Sequence, residues 1–409
     1  MGQKIIIIKI NHKFISFENI YMCQLIKYLY NLTHIYSLLI FLFVSSSLNA
    51  EINILSWGGN YQETQKITLG NNFFERTGIK VNWISWKDYP YIELDQILNN
   101  HSNKLPRIDI IDIYINNKNT LNLLNKKCLQ KKIYNFNQNK NASDSYKKIL
   151  FLEDYVIKPQ NECLFGNLLF SWNFAYNNNL FKENKPISAS DFFNTEKFPG
   201  KRGIYIGFKP NLELSLIADG VSPEGLYNVI INQTSAISRS INKIDELCND
   251  PKGGCVFWMS GSEPSNLLKN NEVVMSTGWA NRFTQSKINE NLPITQVFNN
   301  QIIDYEFFLI NNSSKNIKNS ISFLEFITTP ENEIKFLKEI PYSSWRKTTL
   351  NYIEDTKSNY DEYTKNILNN IPIKIDNFDK QIFIDHDYWE SEYNKINKIW
   401  KKEILNKHN

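Results

Sequence analysis

Two carboxylates two residues apart, Asp304 and Glu306, interrupt the apolar run IIDYEFFLIN. On a strand that spacing puts both on one face. Paired carboxylates are the acid and the nucleophile or base of glycoside hydrolysis, so a secreted glycosidase is one chemistry they suggest. A solvated strand end is the plain alternative. A second constellation is LSWGGNY, in which Trp57, Gly58, Gly59 and Tyr61 follow a strand-like run. A turn needs one glycine. Two adjacent glycines let something approach the backbone closely, with the indole as its wall. Other catalytic signatures are missing. No GxSxG elbow, HExxH or P-loop occurs, and Trp-Gly-Gly is not a dinucleotide fingerprint. After residue 50 the only histidines are His101, His386 and His408, widely separated. That spacing disfavours a Ser–His–Asp triad and offers no zinc pattern with the cysteines. No enzyme activity, metal or cofactor is expected.

The elements that must hold these residues follow from hydrophobic period. EINILSW reads as a strand, YQETQKITLGNNFFERTG as a helix stopped by Gly78, and IKVNWISW as a second strand. YIELDQILNNHSN is helical, and RIDIIDIYI is a strand buried on both faces. Strand–helix–strand–helix–strand is the pattern of an α/β parallel sheet. LFGNLLFSWNFAYN, residues 164–177, has no helical period and reads as one long strand able to carry the chain into a second domain. KRGIYIGF, CVFWMS and EVVMSTGW supply that domain's strands, and IIDYEFFLIN returns the chain to the first. YWESEYNKINKIWKKEIL is an amphipathic C-terminal helix with Trp389, Ile396 and Trp400 on or near one face.

The chain has 409 residues, 42% hydrophobic, 22% charged and 14% aromatic, which fits a globular protein of two domains. No basic block with interleaved aromatics appears, so nucleic acid is not an expected partner. IYSLLIFLFV followed by SSSLNA reads as the core and cleavage region of a secretory signal ending at Ala50, preceded by an atypical extension; Met22 is an alternative start. Loss of residues 1–50 removes four lysines and one glutamate, and the formal charge of +4 falls by 3 to +1. Four cysteines remain, Cys128, Cys163, Cys248 and Cys255, which allow three pairings. In an exported chain they are expected as disulfides. Cys248 and Cys255 close the short loop CNDPKGGC, which leaves Cys128 with Cys163.

Several long segments resemble the extracellular solute-binding proteins of ABC importers, of the spermidine/putrescine type. ILSWGGNYQET…NNFFERTGIKV is similar to that group's opening strand, glycine turn and helix. DFFNTEKFPGKRGIYIGFKPNLELSLIADGVSPEGLY is similar to its middle segment. VFWMSGSEPSNLLKNNEVVMSTGWANR resembles the stretch whose tryptophan strand ends in the cleft, and SKNIKNSISFLEFITTPENEIKFLKEIPYSSW ends in a Pro-Tyr turn. The likeness covers nearly all of 51–409 in order. It departs at INNSSK and at GWANR, where relatives carry Asn-Gly after the tryptophan.

The resemblance implies a two-lobed α/β periplasmic-binding-protein fold (type II-like), its ligand cleft between lobes joined by two crossing strands. Lobe 1 would comprise 51–170 and 305–409, and lobe 2 would comprise 171–304. It also implies the Cys128–Cys163 pairing. The implied function is capture of a small organic cation, most simply a polyamine, in the periplasm by a monomer. Delivery would be to a membrane permease driven by ATPase subunits. An amino acid or short peptide is the alternative cargo. A polyamine needs aromatic faces along its methylenes and carboxylates at its ammonium ends. Those roles fall to Trp57, Gly58, Gly59, Tyr61, Asp112, Trp279, Asp304, Glu306 and Tyr342, with Glu306 the best match to the family's acidic position.

Overall fold

The structure is a computed structural model describing residues 50–88, 93–98, 106–114, 152–157, 164–374 and 381–408. The expected signal segment and the expected Cys128–Cys163 bridge lie outside these residues. Nine strands are described: β1 (Glu51–Ser56), β2 (Lys80–Ser85), β3 (Ile110–Ile113), β4 (Leu164–Asn177), β5 (Arg202–Tyr205), β6 (Cys255–Trp258), β7 (Met275–Trp279), β8 (Ile294–Ile310) and β9 (Ile382–Phe383). They form one sheet in the order β2-β1-β3-β8-β4-β7-β5-β6, with β9 added on β8.

The sheet is two parallel units sewn together. β1 pairs in parallel with β2 and β3, and β5 pairs in parallel with β6 and β7. Between the units run β4 and β8, antiparallel to each other. At ~3.3 Å per residue, the 14 residues of β4 extend about 46 Å, enough to thread two lobes. Nearly every residue of β4 is buried, which explains its lack of alternation. The ladder slips between Trp172 and Phe174. Opposite that slip Asn300 takes φ 58°, the left-handed region that asparagine tolerates. A bulge of this kind bends a strand where the chain passes from one body to the next.

Two large cores flank the crossing. The first gathers Ile54, Phe73, Ile111, Leu169, Phe308 and Trp345 with their neighbours; the second gathers Phe174, Phe192, Leu212, Trp258, Trp389 and Trp400. This is the two-lobed α/β arrangement expected. One assignment is corrected. The chain from Tyr305 to Ile373 packs in the first core, but Trp389, Ile396, Trp400 and Ile404 of the C-terminal segment pack in the second. Their apolar stripe was legible; its partner was not. β8 also starts earlier than expected, at Ile294, because ITQVFNNQ is too polar to read as a strand.

Local signals hold elsewhere. The first helical run, Gly59–Gln65 and Asn71–Thr77 joined by a wider turn at Lys66–Gly70, ends at Gly78 with φ 73°. The Cys248–Cys255 disulfide ties the end of helix Ala236–Asn249 to the start of β6. Among the described residues no helix is long and apolar enough to cross a membrane.

Candidate functional site

The carboxyl ends of β1 and β3 place Trp57, Tyr61 and Asp112 beside one another. Asp112, next to last in the isoleucine strand, is fully buried. Its Oδ2 accepts from Tyr61 Oη at 2.9 Å, Gln65 Nε2 at 2.9 Å and, more weakly, Ser56 Oγ at 3.4 Å. Its Oδ1 accepts from Asn167 Nδ2 at 2.9 Å. These donors favour the charged form, yet burial outweighs them and pushes the Asp112 carboxyl up to about 6. Trp57 stacks on Trp86, centroids 6.1 Å apart, and Trp86 Nε1 donates to the Asp112 carbonyl at 3.0 Å. Tyr61 meets Tyr342 edge-on at 6.2 Å, so the Pro-Tyr turn closes this wall.

Glu306 comes to the same place along β8. Trp345 fixes the backbone there, donating from Nε1 to the carbonyls of Leu168 at 2.9 Å and Glu306 at 3.1 Å. Burial, then Asp112 and Asp304, raise the Glu306 carboxyl well above the usual carboxylate range. Trp57 and Tyr61 stand close enough to stabilise its charged form in part. Glu306 Oε2 and Trp57 Nε1 are both buried, and neither completes a full hydrogen bond with another described residue. Buried polar atoms are ordinarily satisfied. Here an indole N–H and a carboxyl oxygen face one another.

Asp304 reaches the same neighbourhood but is already engaged. It accepts from Tyr114 Oη at 2.6 Å, His386 Nε2 at 2.8 Å and the Tyr305 amide at 2.8 Å. The second lobe contributes Trp279, at the end of β7, in a cluster with Trp172 (4.7 Å), Trp258 (5.6 Å) and Tyr205 (6.2 Å). Directly after it, Asn281 and Arg282 open helix Ala280–Asn289. Both act on Tyr342 of the first lobe: its hydroxyl is raised by burial and Glu306, and Arg282 and Asn281 oppose the shift. Arg282 is exposed and forms no ion pair with any described acidic residue. Further along this helix Gln285 donates to the Glu339 carbonyl at 3.3 Å, joining the lobes beside the cleft.

The structure thus brings Trp57, Tyr61, Asp112, Glu306 and Tyr342 onto one wall, with Asp304 next to Glu306 and Trp279 on the opposite lobe. The glycines have another reason. Gly58 takes φ 77°, and a Cβ there would lie 2.3 Å from Ser85 Oγ. Gly59 takes φ 62° and, with Gly58, lines a surface hollow beside Ser85 and Lys87. Packing on β2 requires Gly58, and the left-handed backbone at Gly59 favours glycine there. Sequence reasoning missed Asn167, a polar residue inside an apolar strand, and Tyr114, two residues past Asp112. It also missed the aromatic partners of Trp279. Among the described residues no group of His, Cys, Asp or Glu is arranged to hold a metal ion.

Comparison with known proteins gives this geometry a context. Residues 68–364 match the bacterial extracellular solute-binding proteins. The gamma-aminobutyric acid-binding protein of Pseudomonas aeruginosa is 31% identical over 196 residues, 48% of this chain and 54% of that protein. The chain therefore aligns with about half the length of that relative. An ABC transporter substrate-binding protein from Bradyrhizobium japonicum USDA 110 superposes with a TM-score of 0.63 at 21% identity, over 87% of this chain and 100% of that one. The spermidine/putrescine ABC transporter substrate-binding protein of Streptococcus pneumoniae superposes with a TM-score of 0.59 at 17% identity, over 87% of this chain and 99% of that one. At such identities the likeness is one of fold.

Proposed function

The chain belongs to the bacterial extracellular solute-binding proteins, and from that premise we propose that it is the substrate-binding component of an ABC importer whose cargo is a small amino-carboxylate zwitterion. It would act outside the cytoplasmic membrane as a monomer and hand its cargo intact to a permease driven by separate ATPase subunits. One observation carries the choice of cargo. Tyr342 lies within reach of the negative charge of Glu306 from one lobe and the positive charge of Arg282 from the other. A ligand there meets an acidic end and a basic end.

The ammonium would sit at Glu306 Oε2 and Asp112, between the indole of Trp57 and the ring of Tyr61. Both carboxyls are held above their usual range by burial. A cation restores their charge and supplies the missing donor to Oε2. The carboxylate would face Arg282 at the N-terminal turn of helix Ala280–Asn289, where the guanidinium and the helix dipole favour an anion. Trp279 would cover the methylenes between the two. The relative that binds gamma-aminobutyric acid fits this reading.

A second reading keeps the site and changes the cargo to a polyamine. The observation favouring it is that Asp112, Asp304 and Glu306 act on a common centre at Glu306. Calorimetric titration with gamma-aminobutyrate, putrescine and spermidine separates the two. The zwitterion reading expects gamma-aminobutyrate to bind at least tenfold more tightly than putrescine, and Arg282→Ala to abolish that preference. Tighter putrescine binding, with gamma-aminobutyrate indifferent to Arg282→Ala, overturns it in favour of the polyamine.

A further inference from the structure

Asp304 is 2% exposed, and its carboxylate is occupied by three donors. Their origins differ. Tyr114 continues β3 of the first lobe. His386 opens the C-terminal helix His386–Trp400, which docks in the second core. Tyr305 lies on the crossing strand. The segment ahead of His386 crosses at the same level: β9 pairs in parallel with β8 at Ile302–Ile382 and Ile303–Phe383, and the Ile384 amide donates to the Ile303 carbonyl at 3.0 Å. The C-terminal segment is therefore a third strap over the hinge.

We propose that Asp304 is an interlobe latch, a positioning residue that joins Tyr114 of the first lobe to His386 of the strap and fixes the lobe setting without touching the ligand. The inference rests on the capture function above.

Three features support it. The His386 imidazole packs edge-on to Tyr305 at 5.1 Å and to Tyr114 at 5.5 Å, and its Nδ1 is buried without a partner. Among the described residues Asp304 is thus its one side-chain hydrogen-bond partner, and a turn of the ring away would strand both nitrogens. One helical turn on, Trp389 Nε1 donates to Glu213 at 2.7 Å, and Tyr227 Oη donates to the same carboxylate at 2.9 Å. That buried group anchors the strap to the second lobe, so His386 must travel with it. Lys209, beside Glu213, adds positive charge facing both Glu213 and Asp304. Asp304 is therefore compensated from within the protein, and Glu306 only in part.

The test uses the conservative variants Tyr114→Phe, His386→Gln and Asp304→Asn of the full mature chain. Small-angle scattering of unliganded protein reads lobe setting, and stopped-flow mixing with gamma-aminobutyrate reads rates. The latch predicts a radius of gyration that departs from wild type in all three variants, before any ligand is added. It also predicts dissociation about tenfold faster, one hydrogen bond to a charged group, with association changed less than threefold. Unchanged scattering in Tyr114→Phe and His386→Gln overturns the proposal. So does a large affinity loss in Asp304→Asn alone, the mark of direct contact. If gamma-aminobutyrate does not bind wild type, the cargo reading fails, and scattering still decides the latch.

Discussion

Replacing Glu306 by glutamine changes stability and binding in opposite directions. In the unliganded protein the Glu306 carboxyl is raised by burial and by the charges of Asp112 and Asp304. A carboxyl raised on folding costs nothing below its unfolded pKa, about 4.3, where both states are protonated. As pH rises past that value the unfolded chain ionises first, and stability is lost until the folded group ionises too. The full cost is then present at higher pH. Glutamine keeps the shape and carries no such cost. Glu306→Gln should therefore melt higher than wild type at pH 8 and equal to it near pH 4. Each pKa unit of displacement is worth 1.36 kcal/mol. Binding moves the other way. A hydrogen bond between charged partners contributes roughly 1.5–3 kcal/mol, so affinity for an amine ligand should fall about tenfold to a hundredfold. Scanning calorimetry at pH 4, 6 and 8 with titration calorimetry at pH 7.5 measures both. A variant less stable at pH 8, or one that binds gamma-aminobutyrate and putrescine as wild type does, would refute the placement of a ligand cation at Glu306.

Asp112 predicts the pH profile. Its carboxyl is pushed up to about 6 by burial, Glu306 beside it is raised as well, and an ammonium ligand needs both charged, so affinity should fall as pH drops from 8 through about 6; a flat titration from pH 8 to 5 would exclude Asp112 from the cation site. The Cys248–Cys255 bridge closes a loop with a sequence separation of 7. Loop-closure entropy assigns it about 2.5 kcal/mol, so the double Cys248→Ser, Cys255→Ser variant should unfold at correspondingly lower denaturant concentration with ligand affinity preserved.

Much of the architecture was legible because it is written in local period. The run of residues 164–177 lacks helical spacing and is buried on both faces as β4, and Gly78 stops its helix in the left-handed conformation. Other features depend on contacts far apart in sequence. The stripe of Trp389, Ile396 and Trp400 announced a buried face, but a helical period does not say which core receives it; the answer lies with Phe208 and Glu213. The adjacent glycines announced close approach correctly, but what approaches Gly58 is Ser85 of the neighbouring strand.

The acids at 304 and 306 make the limit plain. Two residues apart on β8, they point to one side, as their spacing requires. Their spacing does not tell them apart; only the family likeness singled out Glu306. In the fold they are opposites, because the donors that decide their state arrive from elsewhere. Asp304 is met by Tyr114 and His386, separated from it by 190 and 82 residues. Glu306 meets Trp57 and Tyr61, which offset its burial only in part, and its Oε2 completes no full hydrogen bond among the described residues. Burying a carboxylate without partners is unfavourable, and a chain under selection for stability alone would replace it or supply a donor. The satisfied member of the pair is the one suited to hold the lobes. The less satisfied one, raised by burial beside Asp112, is the one suited to wait for a cation.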